Sequence, residues 1–138
     1  MTAVRLWTSI AMLLSACEND PAPKPEARPA PKQGVEIIAA PAGNEEATAL
    51  IQRESAKAAE RGRKLVVYVG AEWCEPCQYF HEAAVAGRLD SDFPTLTLLE
   101  FDHDRDLARL ERAGCRSPMI PLFSLPDASG RCTERRIS

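Results

Sequence analysis

Two cysteines, Cys74 and Cys77, are separated by two residues where an apolar segment gives way to an amphipathic one. Residues 64–69, KLVVYV, are β-branched and almost wholly apolar, which predicts a buried central strand. Residues 75–86 predict a helix. Because a helix N-terminus stabilises a thiolate through its free N–H groups and its dipole, Cys74 is expected to be the attacking sulfur. Cys77, one turn further along, is expected to be shielded and to resolve a mixed disulfide.

The residues around this pair favour dithiol chemistry, although a metal site is an alternative. Pro76 fits the first helical turn, where its missing N–H would have no partner. His81 follows Cys77 by four residues and therefore shares its helix face. With Cys74 these residues could bind copper or zinc, so a metal-binding chaperone is the second hypothesis. A fourth ligand is not evident, and the Trp-Cys-x-Pro-Cys context favours redox chemistry.

The elements that must position the pair alternate along the chain. Asn44 is a plausible N-cap of the first predicted helix, and Asp104 of the third. The order α-β-α-β-α-β-β predicts an α/β domain, a mixed sheet with helices on its faces. The predicted helices are 45–61, 75–86 and 104–113, and the predicted strands are 64–69, 95–101, 120–125 and 131–137.

Over residues 64–136 the chain resembles the thioredoxin superfamily. The resemblance lies in VVYVGAEWCEPC at 66–77, in Phe101-Asp102, in IPLF at 120–123 and in PDASG at 126–130. It implies a three-layer thioredoxin-like fold, a mixed central sheet flanked by helices. It also implies a thiol-disulfide oxidoreductase of the protein-disulfide reductase or isomerase type. The redox-active disulfide Cys74–Cys77 would need no other cofactor.

The resemblance further implies a cis-proline that docks an extended substrate. Pro121 is the candidate, because the rival Pro118 would leave Pro121 inside a central strand, where a missing donor is costly. Substrate docking is then assigned to Trp73, Ile120 and Pro121, and active-site support to Trp73, Glu75, Pro76 and Pro121. The implied partners are protein thiols and disulfides, and an unidentified redox partner that resets the pair.

Three features depart from the family. Thioredoxins keep a buried acidic residue on the strand before the motif, where this chain has Tyr68. Glu75 replaces the glycine of the usual thioredoxin motif, and a carboxylate there disfavours a neighbouring thiolate. The expected C-terminal helix is missing, since the sequence stops at Ser138. The Tyr68 replacement keeps open a third hypothesis, a non-catalytic thioredoxin-like binding domain.

The N-terminal third differs in composition from the rest. Residues 1–17 combine Arg5, an apolar run and small residues, as a secretory signal peptide does. Their end, LSAC, resembles the lipobox of bacterial lipoproteins, which implies lipidation of Cys17. Residues 18–43 are rich in proline and alanine and predict a flexible tether. The resulting expectation is an exported domain, 44–138, lipid-anchored to a bacterial membrane and facing the periplasm or the cell exterior.

The remaining cysteines and the net charge bear on the disulfides and the partners of the protein. Five cysteines, less Cys17 and the pair Cys74 and Cys77, leave Cys115 and Cys132. These two could form a structural disulfide or remain separate buried thiols, since their separation cannot be deduced from sequence. Seventeen basic against twenty acidic residues give a net charge of −3, which argues against a nucleic-acid partner. We expect a monomer.

Overall fold

The computed structural model describes residues 33–138. The predicted signal peptide 1–17, with the predicted lipidation site Cys17, lies outside the described residues, as do residues 18–32 of the predicted tether. Within the described range, no helix has the length and the apolar character needed to cross a membrane.

Five strands form one mixed sheet in the order β1-β3-β2-β4-β5. β1, β3 and β2 are mutually parallel, whereas β4 and β5 are each antiparallel to the preceding strand in this order. The strands are β1 Glu36–Ala39, β2 Lys64–Gly70, β3 Leu96–Asp102, β4 Leu122–Pro126 and β5 Cys132–Ile137. The central position of β2, between β3 and β4, explains why its sequence is almost continuously apolar.

Three helices cover the two faces of the sheet: α1 Ala47–Glu60, α2 Glu75–Val85 and α3 His103–Arg112. Side chains of α1 and α3 join one core cluster with alternate residues of β2, among them Val67 and Val69. Tyr68 points to the opposite face, where its ring packs 5.2 Å from that of Phe80 on α2. The predicted three-layer arrangement with a mixed central sheet is therefore confirmed. Among the described residues, α2 is the only helix on its face.

The helix starts differ from those predicted. α1 begins after Glu46, whose side chain makes no capping hydrogen bond, so Asn44 is not the N-cap. α3 begins at His103, one residue before the predicted start, and its N-cap is Asp102 and not Asp104, because the carboxylate of Asp102 accepts hydrogen bonds from the backbone N–H groups of Asp104 and Arg105. A side chain can cap a helix only from the residue at which the helical backbone conformation begins. Residues 102–106 contain several aspartates that could be this N-cap, and the sequence does not distinguish them.

The predicted boundary between tether and domain at residue 44 is wrong, because β1 lies inside the segment predicted as tether. β1 pairs in parallel with β3. The buried guanidinium of Arg63 holds the start of this segment by donating to the carbonyl oxygen of Gly34, 2.6 Å away, and to the hydroxyl of Thr97, 2.9 Å away. The folded unit therefore extends N-terminal of residue 44 and includes an edge strand.

Candidate active site

Cys74 and Cys77 are joined by a disulfide at the junction between β2 and α2. Their Cα atoms are 5.2 Å apart, and the two residues are 5 % and 3 % exposed. Cys74 is the N-cap of α2, and its sulfur accepts a hydrogen bond from the backbone N–H of Cys77 at 3.3 Å. A thiolate on Cys74 would accept the same hydrogen bond at the positive end of the helix dipole. The roles of Cys74 as the attacking sulfur and of Cys77 as the resolving sulfur stay predictions.

The two residues between the cysteines form the exposed first turn of α2. Pro76 is the second helical residue, where the chain needs no N–H donor. Glu75 is the acidic residue of this turn, and its side chain is directed toward solvent. A carboxylate stabilises a helix N-terminus but disfavours a neighbouring thiolate, so Glu75 acts on the helix and on Cys74 in opposite directions.

The loop before β4 brings a second segment to the disulfide. Among the described residues, the only cis peptide bond is Ile120–Pro121, so Pro121 is the cis-proline and Pro118 is not. The carbonyl oxygen of Ile120 lies 3.8 Å from the sulfur of Cys74. Met119, just before it, is 60 % exposed. An extended chain placed along this loop would pass beside the Cys74 sulfur.

Trp73 gives the site an exposed apolar surface on its other side. Its side chain is 66 % exposed, and its indole N–H donates to the carboxylate of Asp104 at 2.7 Å. Hydrogen bonds from His103 and from Trp73 lower the pKa of that carboxyl. Asp104 therefore stays ionised and holds the indole in place, a role that sequence reasoning missed by treating Asp104 as a helix cap. The only sequence signal for this role was that Asp104 follows β3. Because β3 is a parallel neighbour of β2, the residues that follow the two strands lie at the same edge of the sheet.

A cavity of about 430 Å³ lies behind Cys77. Tyr68, Cys77, His81 and Glu100 contribute to its walls. The Tyr68 hydroxyl donates to the carbonyl oxygen of Cys77 at 3.2 Å. In the wall of this cavity, Nδ1 of His81 lies 2.9 Å from a carboxylate oxygen of Glu100. Cys77 thus shares this cavity with several titratable side chains.

The environment of Tyr68 explains why it is not a proton acceptor. Burial and, to a smaller extent, the negative charge of Glu100 raise the pKa of Tyr68 to about 12. The phenol is therefore neutral at physiological pH and acts as a hydrogen-bond donor. Sequence reasoning noted the missing acid at position 68 but did not find Glu100, which lies beside Tyr68 in the register of β2 and β3.

The structure does not assemble the metal site considered from the sequence. His81 contacts Glu100, and the sulfurs of Cys74 and Cys77 are bonded to each other. Among residues 33–138, no three His, Cys, Asp or Glu side chains are grouped closely enough to hold a metal ion. No observation in this part of the chain favours the chaperone hypothesis.

Cys115 and Cys132 form a second disulfide, with Cα atoms 5.0 Å apart. Cys115 follows the C-terminal turn of α3 and belongs to the core cluster, while Cys132 is the first residue of β5. The backbone N–H of Cys132 also donates to the carbonyl oxygen of Ala113 at 3.0 Å. This bridge therefore connects the last hairpin to the end of α3. Cys115 lies in the core cluster, and Cys132 packs against it.

Comparison with known proteins agrees with this geometry. No curated protein matches the chain. Residues 46–124, more than half of the chain, match the thioredoxin-like family, and the match includes both cysteines of the motif and Pro121. With the Cys74–Cys77 disulfide, this match supports thiol-disulfide redox function in general. The chain belongs to the thioredoxin-like family.

Proposed function

We propose that this domain is a thiol-disulfide oxidoreductase, of the protein-disulfide reductase or isomerase type, that acts on protein substrates. The observation that carries the proposal is the disulfide at the N-terminus of α2, with the carbonyl oxygen of Ile120 3.8 Å from Cys74. The helix terminus favours a thiolate on Cys74, and the neighbouring loop offers a surface for an extended chain. The exposed Trp73 and Met119 flank this place with apolar surface that a polypeptide could cover.

In the reducing direction, the Cys74 thiolate attacks one sulfur of a substrate disulfide. A mixed disulfide forms, and the other substrate sulfur leaves as a thiolate that takes a proton from solvent. Cys77 then attacks the Cys74 sulfur, which releases the second substrate thiol and closes the Cys74–Cys77 disulfide. Two electrons pass to the substrate, and an external dithiol partner must reduce the pair again. The reverse sequence oxidises a substrate dithiol, and neither direction needs an organic cofactor.

An insulin-reduction assay with dithiothreitol as reductant tests the activity. We expect Cys74→Ser to abolish acceleration over the reductant alone. Cys77→Ser should also lose turnover, and when the reduced variant is freed of dithiothreitol and then mixed with insulin, it should accumulate a mixed disulfide between Cys74 and insulin, visible by non-reducing electrophoresis. A double variant, Cys115→Ala with Cys132→Ala, is the matched control and should retain activity. Activity that survives in both single variants would contradict the proposal. Substrate binding without turnover by the unaltered domain would instead indicate the non-catalytic binding domain.

We further propose that the protein is exported and lipid-anchored through Cys17 at a bacterial membrane, facing the periplasm or exterior. The supporting features are the apolar N-terminal segment, the LSAC sequence and the second disulfide, since structural disulfides persist mainly in oxidising compartments. Metabolic labelling of the full chain with a radioactive fatty acid tests this. We expect label in the unaltered protein and none in Cys17→Ser, and equal labelling of both would contradict the anchor.

A further inference from the structure

The resolving step of the proposed reaction needs a proton acceptor near Cys77. Cys77 is 3 % exposed, and it must lose its S–H proton before it can attack the mixed disulfide on Cys74. Burial disfavours a thiolate unless a nearby group takes the proton. The cavity behind Cys77 is where such a group can lie, because 430 Å³ is room for several water molecules that could carry the proton.

Most ionisable groups around this cavity are unsuited to the task. Tyr68 is neutral and already donates to the carbonyl oxygen of Cys77. Asp102 accepts the N-terminal N–H groups of α3, and Arg105 is a cation paired with Asp106. Two carboxylates, those of Glu72 and Glu82, are exposed at the rim of the cavity.

Unlike Glu72 and Glu82, His81 and Glu100 are only partly exposed, and they are bound to each other. His81 lies one helical turn after Cys77, on the same face of α2. Glu100 is adjacent to Tyr68 across β2 and β3. Their contact of 2.9 Å uses Nδ1 of the imidazole as donor to the carboxylate, which leaves Nε2 as an acceptor. A carboxylate in this position fixes the tautomer and the ring orientation of a histidine.

We infer that His81, oriented by Glu100, accepts the proton of Cys77 through the cavity when Cys77 resolves the mixed disulfide; this inference rests on the proposed function. The S–H bond of Cys77 breaks and its proton passes to the imidazole. The Cys77 sulfur forms a bond to the Cys74 sulfur, and the bond from Cys74 to the substrate breaks. The substrate leaves as a thiolate, and the imidazolium later returns the proton to it or to solvent. Glu100 is a positioning residue in this scheme.

The two chemical steps can be followed separately with Ellman's disulfide as the probe. The reduced domain, mixed with one equivalent, releases a first thionitrobenzoate when Cys74 attacks and a second when Cys77 resolves the mixed disulfide. We expect His81→Gln and Glu100→Gln to slow the second release roughly tenfold or more at neutral pH. Both should also move the pH midpoint of the second release to higher pH. The first release should remain within about twofold of the unaltered domain, since the helix terminus activates Cys74.

Matched variants separate this role from a merely structural one. Glu82→Gln removes an exposed carboxylate from the same cavity and the same helix, and it should leave both releases unchanged. Glu100→Asp keeps the charge and should restore part of the second rate. An unaltered pH profile of the second release in His81→Gln would overturn the inference while leaving the proposed function intact. Equal slowing of both releases would overturn it too, because that points to general damage. Absence of the first release in the unaltered domain would overturn both proposals.

Discussion

The hydroxyl of Tyr68 donates a hydrogen bond to the carbonyl oxygen of Cys77, which ties the central strand directly to the first turn of the helix that carries the dithiol. The phenol ring is enclosed by two aromatic neighbours, Phe80 at 5.2 Å and Phe123 at 5.1 Å between ring centroids. At a position where the family keeps an acid, this chain therefore has a rigid support for the site. In the proposed reaction, the proton acceptor must then be another residue around the cavity.

Replacing Tyr68 by phenylalanine should test this supporting role. The variant keeps the ring packing and loses one buried hydrogen bond, so the free energy of unfolding at neutral pH should fall by about 1 kcal/mol. The pKa of Tyr68 is raised in the folded state, so its contribution is complete below pH 10, the ordinary tyrosine value, and is lost as the pH rises toward 12. The difference between the two proteins should therefore shrink over that range. Urea unfolding at several pH values measures it, and a constant difference would contradict the assignment.

The turn between β4 and β5 packs against the first turn of α1, which makes Gly130 sensitive to substitution. Gly130 has φ +80°, and a Cβ there would press into the carbonyl oxygen of Thr48. Gly62 has a similar φ of +69° with open space around it. Both alanine variants incur the cost of the left-handed conformation, but Gly130→Ala should lose about 1–3 kcal/mol more than Gly62→Ala. Thermal and urea unfolding of the pair measure the difference, and equal losses would contradict the packing.

Much of the site could be predicted because its determinants are local. The apolar run that becomes β2, the helix that starts at Glu75 and the spacing of the two cysteines lie within about twenty residues. A cis-proline was predictable only through the family resemblance, whereas the choice of Pro121 over Pro118 followed from the predicted strand, in which a missing donor at Pro121 would be costly.

The remaining features depend on contacts between distant parts of the chain. β1 has four residues, lies among prolines and exists because it pairs with β3 some sixty residues later. The contact between His81 and Glu100 depends on the register of β3 against β2 and on the rotation of α2 over the sheet. Neither has a local sequence signal. The pairing of Cys115 with Cys132 likewise required the position of the last hairpin.

Asp106 on α3 forms the centre of a buried ionic cluster that supports the fold. It contacts Arg109 at 2.7 Å and Arg105 at 2.8 Å, and accepts from the backbone N–H of Asp102 at 3.0 Å. Burial by itself would raise the pKa of Asp106, but these hydrogen bonds and charges outweigh it and lower the pKa. Arg109 in turn donates to the carbonyl oxygen of Pro41, so the cluster also fastens the segment that joins β1 to α1.

Asp106→Asn should therefore destabilise the domain by about 3 kcal/mol at neutral pH, since the buried Arg109 guanidinium loses its counter-charge. A carboxyl with a lowered pKa stabilises the fold above the unfolded value near 4, and this contribution is lost as the pH falls. The difference from the unaltered domain should consequently decrease below about pH 4. Asp92→Asn, at an exposed position, is the control and should change little at any pH. Urea unfolding between neutral and acidic pH measures both, and a difference that persists in acid would contradict the assignment.

The second disulfide should stabilise the fold without taking part in the redox reaction. Cys115 and Cys132 are separated by 17 positions. Closing a loop of that size lowers the conformational entropy of the unfolded chain, which raises the free energy of unfolding by about 3 kcal/mol. We expect the double variant Cys115→Ala with Cys132→Ala to lose about this amount in urea unfolding of the oxidised protein. Under strong reductant the unaltered protein should approach the stability of the variant. The second release from Ellman's disulfide should keep its rate in the variant, because the cavity behind Cys77 is lined by other residues. If the second release were slower in the double variant while the packing of Tyr68 was unchanged, the prediction would be contradicted. The bridge would then be coupled to the active site.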